Sequence, residues 1–323
     1  MTVPPSPSSP PGASPSAPAL EVPAGRRHLA PTGVGEIGRH LPIRTVARDA
    51  VRETARDRRD LEIAICTVVG MSALLGSPAV WPVAILLFAA TAFGAFRLLS
   101  AIEVGEHDRG VPIESLIVPS VTAFGAATAI HLVPLGAALV PAVLAAGWLL
   151  DRALAVETGI VRESEAPSDS DRTSALVTIL LVALVAFAGV AATVPGGLAG
   201  IDPAGAPSAP LPVGSLAALV LADAAIAGLL GYRAAALRTA KARDALVAAV
   251  GYAVVIAIGA AAVRALGIPR LIGPAVLMFL FYLWDTLHSA PPSRRRDPRW
   301  LWETAILVAL GAIVVAWNLR LET

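Results

Sequence analysis

LAALVLADAAIAGLL, residues Leu216 to Leu230, is an apolar helix with one acid, Asp223, near its middle. With its flanking residues it is long enough to cross a bilayer, which takes about 20 predominantly apolar residues. The whole chain of 323 residues is 56% hydrophobic and 15% charged, against about 45–50% and about 25% in soluble domains. The composition therefore predicts an all-α, polytopic (multi-pass) integral membrane protein, because backbone polar groups in lipid must be satisfied within helices.

The chain contains several apolar segments of about this length, separated by polar or proline-rich connections. We predict about nine transmembrane helices, at residues 61–78, 81–99, 114–131, 135–151, 174–194, 213–232, 245–263, 270–287 and 300–318. The hairpins 61–99 and 114–151 have short arms, so a re-entrant path stays open for either of them.

Basic residues give the orientation. With the N-terminus in the cytoplasm and nine alternating crossings, 22 of the 25 Lys and Arg residues fall on the cytoplasmic side. Tryptophans fall near the two expected membrane surfaces, as in an aromatic belt. We therefore predict a protein of the cell (plasma) membrane with its N-terminus in the cytoplasm and its C-terminus outside.

The ends of the chain differ in composition from the membrane domain, predicted at 61–319. Residues 1–35 are rich in Pro, Ser and Ala, lack the apolar core of a signal peptide, and are predicted to be disordered. Residues 36–60 carry recurring arginines and are predicted to form a basic amphipathic helix beside the membrane. Residues 320–323 form a short outer tail.

Two stretches resemble each other and indicate an internal repeat. PAVLAAGWLLD runs from Pro141 to Asp151, and PAVLMFLFYLWD runs from Pro274 to Asp285. The prediction is two parallel units of four helices each plus one extra helix, related by an axis along the membrane normal. Chance similarity between Ala- and Leu-rich helices is the alternative.

Asp223 is the first candidate site. An acid in the middle of a membrane helix costs about 2.5–3.5 kcal/mol on insertion scales, so it should face neighbouring helices rather than lipid. Ala224, Ala225, Gly228 and Gly231 would allow those neighbours to approach closely. The functional interpretation is a proton- or cation-coupled site or a polar group lining a cavity. The structural interpretation is an interhelical hydrogen bond from the protonated acid.

Acids near the cytoplasmic surface form the second group of candidates. Glu103, Glu106 and Asp108 lie in the densest run and could hold Mg²⁺ and a diphosphate headgroup. Asp285 and His288 lie about one helical turn apart and could act as an acid–base pair. The structural alternative is that these acids pair with nearby arginines, namely Arg97, Arg109, Arg152 and those at 294–299.

The outline of nine helices in this orientation is similar to that of the intramembrane prenyltransferases. That family has aspartate-rich motifs in the cytoplasmic loops after helices two and six. The first loop here offers Glu103, Glu106 and Asp108 without the family's Asn-Asp pattern, and the second ends in a lone Asp244. The resemblance covers topology alone and lacks half of the metal–diphosphate ligands.

Other features limit the partners. The net charge of +1 gives no case for nucleic acid, and a single cysteine, Cys66, excludes an intramolecular disulfide and a cysteine-cluster metal site. No P-loop, HExxH or GxSxG motif occurs, so no metal or cofactor is predicted. The excess of arginine over lysine indicates a bacterial source with a GC-rich genome.

Three functions stay open, and the lipid bilayer is the one partner that all of them share. The favoured prediction is a transporter of a small solute, coupled to protons or cations, with its site near Asp223. The alternatives are a non-catalytic membrane scaffold, as a partner subunit or homo-oligomer, and an enzyme acting on a lipid or polyprenyl substrate at the cytoplasmic face. Catalytic activity is the least favoured, and the sequence identifies no substrate.

Overall fold

A computed structural model describes residues 43–103, 111–162, 168–194, 212–239, 241–266, 272–290, 293 and 297–321. Within these ranges the chain forms nine α-helices of 13 residues or more: α1 (Ile43–Ser72), α2 (Ser77–Glu103), α3 (Ile117–Ala129), α4 (Leu139–Arg162), α5 (Asp169–Thr193), α6 (Val213–Ala236), α7 (Ala242–Ala265), α8 (Ile272–Ser289) and α9 (Pro298–Leu321). Short 3-10 helices, Ile113–Leu116 and Ile130–Leu132, extend α3 at both ends.

Each predicted apolar segment coincides with one of these helices, and two helices run past the predicted boundary by far more than the others do. α1 is continuous from Ile43 to Ser72, so part of the basic segment 36–60 and the first apolar segment share one helix. α4 continues beyond Asp151 to Arg162. A charged residue ended each predicted segment, whereas the helix continues because its backbone hydrogen bonds do not depend on the side chains. The predicted disordered segment 1–35 lies outside the described residues.

Six of these helical stretches are long and apolar enough to cross a membrane: Pro78–Ala101, Ile113–Leu132, Leu139–Arg162, Asp169–Thr193, Val213–Ala236 and Ala242–Ala265. Large apolar side chains such as Leu221, Val250 and Ile258 are exposed on the outer faces of α6 and α7. Such faces are stable against lipid and unfavourable in water. The described residues therefore form an all-α membrane protein.

α3 and α5 lie at the centre of the bundle. Buried residues make up 72% of an apolar 18-residue window in the α3 stretch and 61% of such a window in α5, against 28% or less in the corresponding windows of the other four stretches. Small residues allow this contact: a Cβ on Gly189 would stand 2.7 Å from the Ala129 backbone nitrogen, and one on Gly125 would stand 3.0 Å from the Ala186 Cα. Close approach of helix backbones through small residues is typical of membrane bundles.

Two apolar clusters surround this central pair. The smaller one joins residues of α1 to α4, including Ile65, Leu87 and Leu150. The larger one joins α5 to α8 with one side of α3 and α4, and includes Phe187 and Phe281. The smaller cluster holds α1 and α4 to one another and to the central pair. The larger cluster holds α6, α7 and α8 to the central pair.

Candidate functional site

Asp223 lies near the middle of α6 on the side that faces the bundle, and only 2% of it is exposed. No donor in the described part of the chain forms a hydrogen bond with its Oδ1 atom. A buried polar atom without a partner costs free energy of about 1–3 kcal/mol, so such atoms are uncommon in native proteins. The Asp223 carboxyl group therefore lies inside the bundle. Its Oδ1 atom lacks the interhelical hydrogen bond that the structural interpretation of this residue predicts.

Arg264, in the last turn of α7, is the charged group that acts on Asp223 electrostatically. Its Nε atom is also buried and has no hydrogen-bond partner among the described residues. Each member of this pair therefore keeps an unsatisfied polar atom in the same helix interface. Sequence reasoning missed Arg264 as a partner because the residue stands one position beyond the apolar segment predicted at 245–263, which assigned it to the outer loop.

The packing of α6 against α7 explains why the pair is enclosed. A Cβ on Gly231 would stand 2.5 Å from the Tyr252 ring, and one on Gly228 would stand 3.5 Å from the Ala253 Cβ. These two glycines were predicted to allow close packing, and the structure confirms it. Ala225, predicted for the same role, is exposed and lies on another side of the helix.

An apolar cavity of about 280 Å³ adjoins the helix that carries Asp223. It lies between α2, α3 and α6, and its walls are Trp81, Ile85, Phe88, Val121, Phe124, Ala222, Ala225, Ile226 and Leu229. The Trp81 and Phe124 rings meet edge to face, with their centroids 5.9 Å apart. Asp223 is not among the lining residues, so this cavity presents apolar surface alone beside the acid.

A satisfied arginine–carboxylate pair links α4 to α6. The Arg233 Nε atom donates to Glu157 Oε1 at 2.9 Å, and its Nη2 atom donates to Glu157 Oε2 at 2.5 Å. Both side chains are no more than 4% exposed. Ser115 lies beside this carboxylate, although its hydroxyl makes no hydrogen bond of ordinary geometry within the described residues. The sequence indicated neither member of this bidentate pair as a candidate.

Asp285 belongs to a second buried cluster. Its Oδ1 atom accepts hydrogen bonds from the Tyr252 hydroxyl of α7 and from Arg238 Nη1, the latter at 2.7 Å. Burial acts to lower the pKa of the Arg238 guanidinium, but Asp285 and Tyr252 outweigh burial and raise that pKa above its ordinary value. The arginine therefore stays charged and holds the carboxylate in place.

His288 lies one turn beyond Asp285, as the sequence predicted, but its ring interacts elsewhere. The imidazole stacks on the Trp284 ring with centroids 3.9 Å apart, and its Nδ1 atom lies 3.2 Å from the Trp284 carbonyl oxygen. The Asp285 carboxylate, for its part, accepts hydrogen bonds from Arg238 and Tyr252. An acid–base role for Asp285 and His288 stays a prediction.

A third cluster joins α1 to α4. The Arg58 Nε atom donates to Glu62 Oε1 at 2.9 Å, and its Nη2 atom donates to the Asp151 carbonyl oxygen at 2.7 Å and to the Asp151 carboxylate. The structure therefore supports the expectation that acids at the helix ends pair with arginines. The partners differ from those expected: Arg152, for example, donates to the Ser174 hydroxyl at 2.7 Å.

The remaining predicted acids give no site. Glu106 and Asp108 lie outside the described residues, and nothing is described of the Glu103 side chain. Asp244 is exposed in the first turn of α7. In the part of the chain that the structure describes, no three His, Cys, Asp or Glu side chains are placed to share a metal ion.

Comparison of the chain with protein-family models, with curated proteins and with solved structures finds no match.

Proposed function

We propose that this protein is a membrane carrier whose transport cycle includes uptake and release of a proton at Asp223. One observation carries the proposal: Asp223 is buried and Arg264 is half-buried in the same helix interface, and each keeps a buried polar atom without a partner among the described residues. An ionisable residue inside a membrane bundle is expensive to place there, and such residues mark ion and proton pathways.

The charge of Arg264 makes the energy of this interface depend on whether Asp223 is protonated. When Asp223 is ionised, the guanidinium offsets part of the cost of a buried negative charge. When Asp223 takes up a proton, Arg264 is left with less compensation, so the interface between α6 and α7 has two states of different energy. A change of charge that alters helix packing is the kind of two-state element on which coupled transport depends.

The proposal includes the topology predicted from the sequence. Nine crossings, with the N-terminus in the cytoplasm of a bacterial cell, place one set of arginines at the cytoplasmic end of the bundle: Arg58, Arg97, Arg152, Arg172, Arg233, Arg238 and Arg243. Arg264 then lies toward the outer face. A proton leaving Asp223 on that side would pass close to this guanidinium.

The internal repeat is also part of the proposal. Asp151 and Asp285 end the two similar stretches, and each carboxylate accepts hydrogen bonds from an arginine. Their arginines, Arg58 and Arg238, do not occupy equivalent positions along the chain. The similarity of the two stretches therefore favours two related units that have since acquired different partners.

The test is proton movement through the purified full chain. The protein is reconstituted in liposomes that contain potassium and the pH dye pyranine, and valinomycin then generates an inside-negative potential. Wild-type protein should acidify the lumen faster than empty liposomes do. Asp223→Asn, which keeps the shape of the side chain but cannot change its charge, should lower the rate to that of empty liposomes.

Asp169→Asn is the matched control. Asp169 lies in the first turn of α5 and its side chain is fully exposed, so its loss should leave the rate unchanged. Two results would overturn the proposal. One is a wild-type rate equal to that of empty liposomes, which favours the scaffold alternative. The other is an Asp223→Asn protein that acidifies the lumen as fast as wild type.

A further inference from the structure

A groove between α1 and α4 has the composition of an amphiphile site. Its volume is about 530 Å³, which falls within the range of about 300–1,000 Å³ that is usual for small-molecule sites. Its walls are Glu62, Ile63, Cys66, Thr67, Val143, Leu144, Gly147, Trp148 and Asp151. The groove is separate from the interface of Asp223 and Arg264, and the inference from it does not depend on the proposed function.

Polar and apolar residues are segregated along this groove. The two acids, Glu62 and Asp151, lie at one end together with Arg58, whereas Ile63 and Leu144 are exposed along the wall, at 64% and 68%. α4 is one of the helices long and apolar enough to span a membrane, so its exposed Leu144 is suited to contact with lipid tails, and Ile63 of α1 extends the same apolar wall. A ligand in this groove must therefore carry an apolar chain and a polar head.

Trp148 indicates the depth of the polar end. It lies one turn before Asp151 on α4 and is 61% exposed. Exposed tryptophans are enriched at the level of lipid headgroups, where the ring is partly in contact with tails and partly with water. On the membrane segment predicted from the sequence at 135–151, which ends at Asp151, the acids of the groove lie at the level of the lipid headgroups.

The charges at the polar end select among headgroups. Arg58 donates to one oxygen of each carboxylate, and each carboxylate has a second oxygen that can accept hydrogen bonds. Glu62 and Asp151 also interact with one another, both electrostatically and through a side-chain hydrogen bond, so two neighbouring acids share a single cation. The Asp151 side chain is 52% exposed and can be reached from the membrane.

We propose that this groove binds phosphatidylethanolamine, with the primary ammonium between Glu62 and Asp151 and an acyl chain along Ile63 and Leu144. A primary ammonium offers three N–H donors and a positive charge. It would supply the second cation and the further hydrogen-bond donors that the two carboxylates lack. The trimethylammonium of phosphatidylcholine has no N–H to donate. Phosphatidylglycerol has a negative phosphate and no cation to offset it.

The experiment is native mass spectrometry of the full chain released from nanodiscs that contain equal amounts of these three phospholipids. Wild-type protein should retain phosphatidylethanolamine about tenfold above phosphatidylcholine, since a charge-assisted hydrogen bond is worth at least about 1.5 kcal/mol. Asp151→Asn should reduce the retained lipids to the proportions of the nanodisc. Asp169→Asn, an exposed acid elsewhere in the chain, should retain the enrichment of wild type.

Cys66 supplies a second readout that needs no variant. It is the single cysteine of the chain and it lines the groove, so labelling by N-ethylmaleimide reports on this place alone. Labelling should be slower in nanodiscs that contain phosphatidylethanolamine than in nanodiscs of phosphatidylcholine. Equal labelling rates, or retention of phosphatidylglycerol in preference to the other two lipids, would overturn the proposal.

Discussion

α6 takes part in two arginine–carboxylate pairs that differ in how well their polar atoms are satisfied. Arg233 forms two hydrogen bonds with Glu157, and both side chains are buried. Asp223 and Arg264 are near enough to interact, yet each has a buried polar atom that no described residue satisfies. About 15 Å of helix separates Asp223 from Arg233 at 1.5 Å per residue, so the two environments belong to one element.

From this difference we infer that the Arg233–Glu157 pair fixes the fold, and we propose that the Asp223–Arg264 pair is the one available for a change of charge. A bidentate pair offsets the desolvation of both ions only in one geometry, so it holds α4 and α6 in a defined register. A pair without matched hydrogen bonds loses little free energy when its geometry or its charge changes. Its atoms are free to bind a proton, a water molecule or a substrate.

The largest effect is expected from breaking the satisfied pair. Arg233→Met leaves the Glu157 carboxylate buried without its cation, which should lower the free energy of unfolding by about 3–5 kcal/mol. Equilibrium unfolding in mixed detergent micelles measures this change. The double variant with Glu157→Leu should recover most of the loss, because it removes both charges together. A loss below about 1 kcal/mol in the single variant would contradict the structural role.

An intermediate effect is expected at Asp285, whose carboxylate has two donors. Tyr252→Phe removes the hydroxyl that donates to the Asp285 carboxylate and accepts from Arg238 Nη2 at 3.2 Å, but it leaves the hydrogen bond from Arg238 Nη1 to Asp285 in place. Unfolding should therefore become easier by about 1–2 kcal/mol. Tyr282→Phe, on α8, provides a control with the same chemical change. An equal loss in both variants would show that the hydroxyl of Tyr252 has no special role in holding Asp285.

The helices of this fold could be predicted from the sequence, because apolar length alone indicates a membrane helix. The segments predicted at 213–232 and 245–263 correspond to α6 and α7, whose bounds are Val213–Ala236 and Ala242–Ala265. The helix ends were predicted less well. Charged residues such as Asp151 were taken as boundaries, although the backbone hydrogen bonds of the helix continue past them.

The pairing of charges could not be predicted in the same way. Asp223 was identified from its position in an apolar helix, and its partner Arg264 was not, because which residue of α7 approaches it depends on how the two helices pack. The same holds for Arg58, which reaches Asp151 across 93 positions of sequence, and for Arg233, which reaches Glu157 across 76. Nothing local in the sequence indicates such contacts.

The smallest effect on stability is expected at Asp223, although this site is as buried as Glu157. Asp223→Asn removes no hydrogen bond from Oδ1 that the described residues make, so the free energy of unfolding should change by less than about 1 kcal/mol. The same micelle titration used for Arg233→Met measures it. A loss of about 3 kcal/mol or more would mean that Asp223 holds the bundle together as Arg233 does. A small change, together with loss of proton movement in liposomes, would mean that the acid is kept for its change of charge, since a residue needed only for packing cannot give both results.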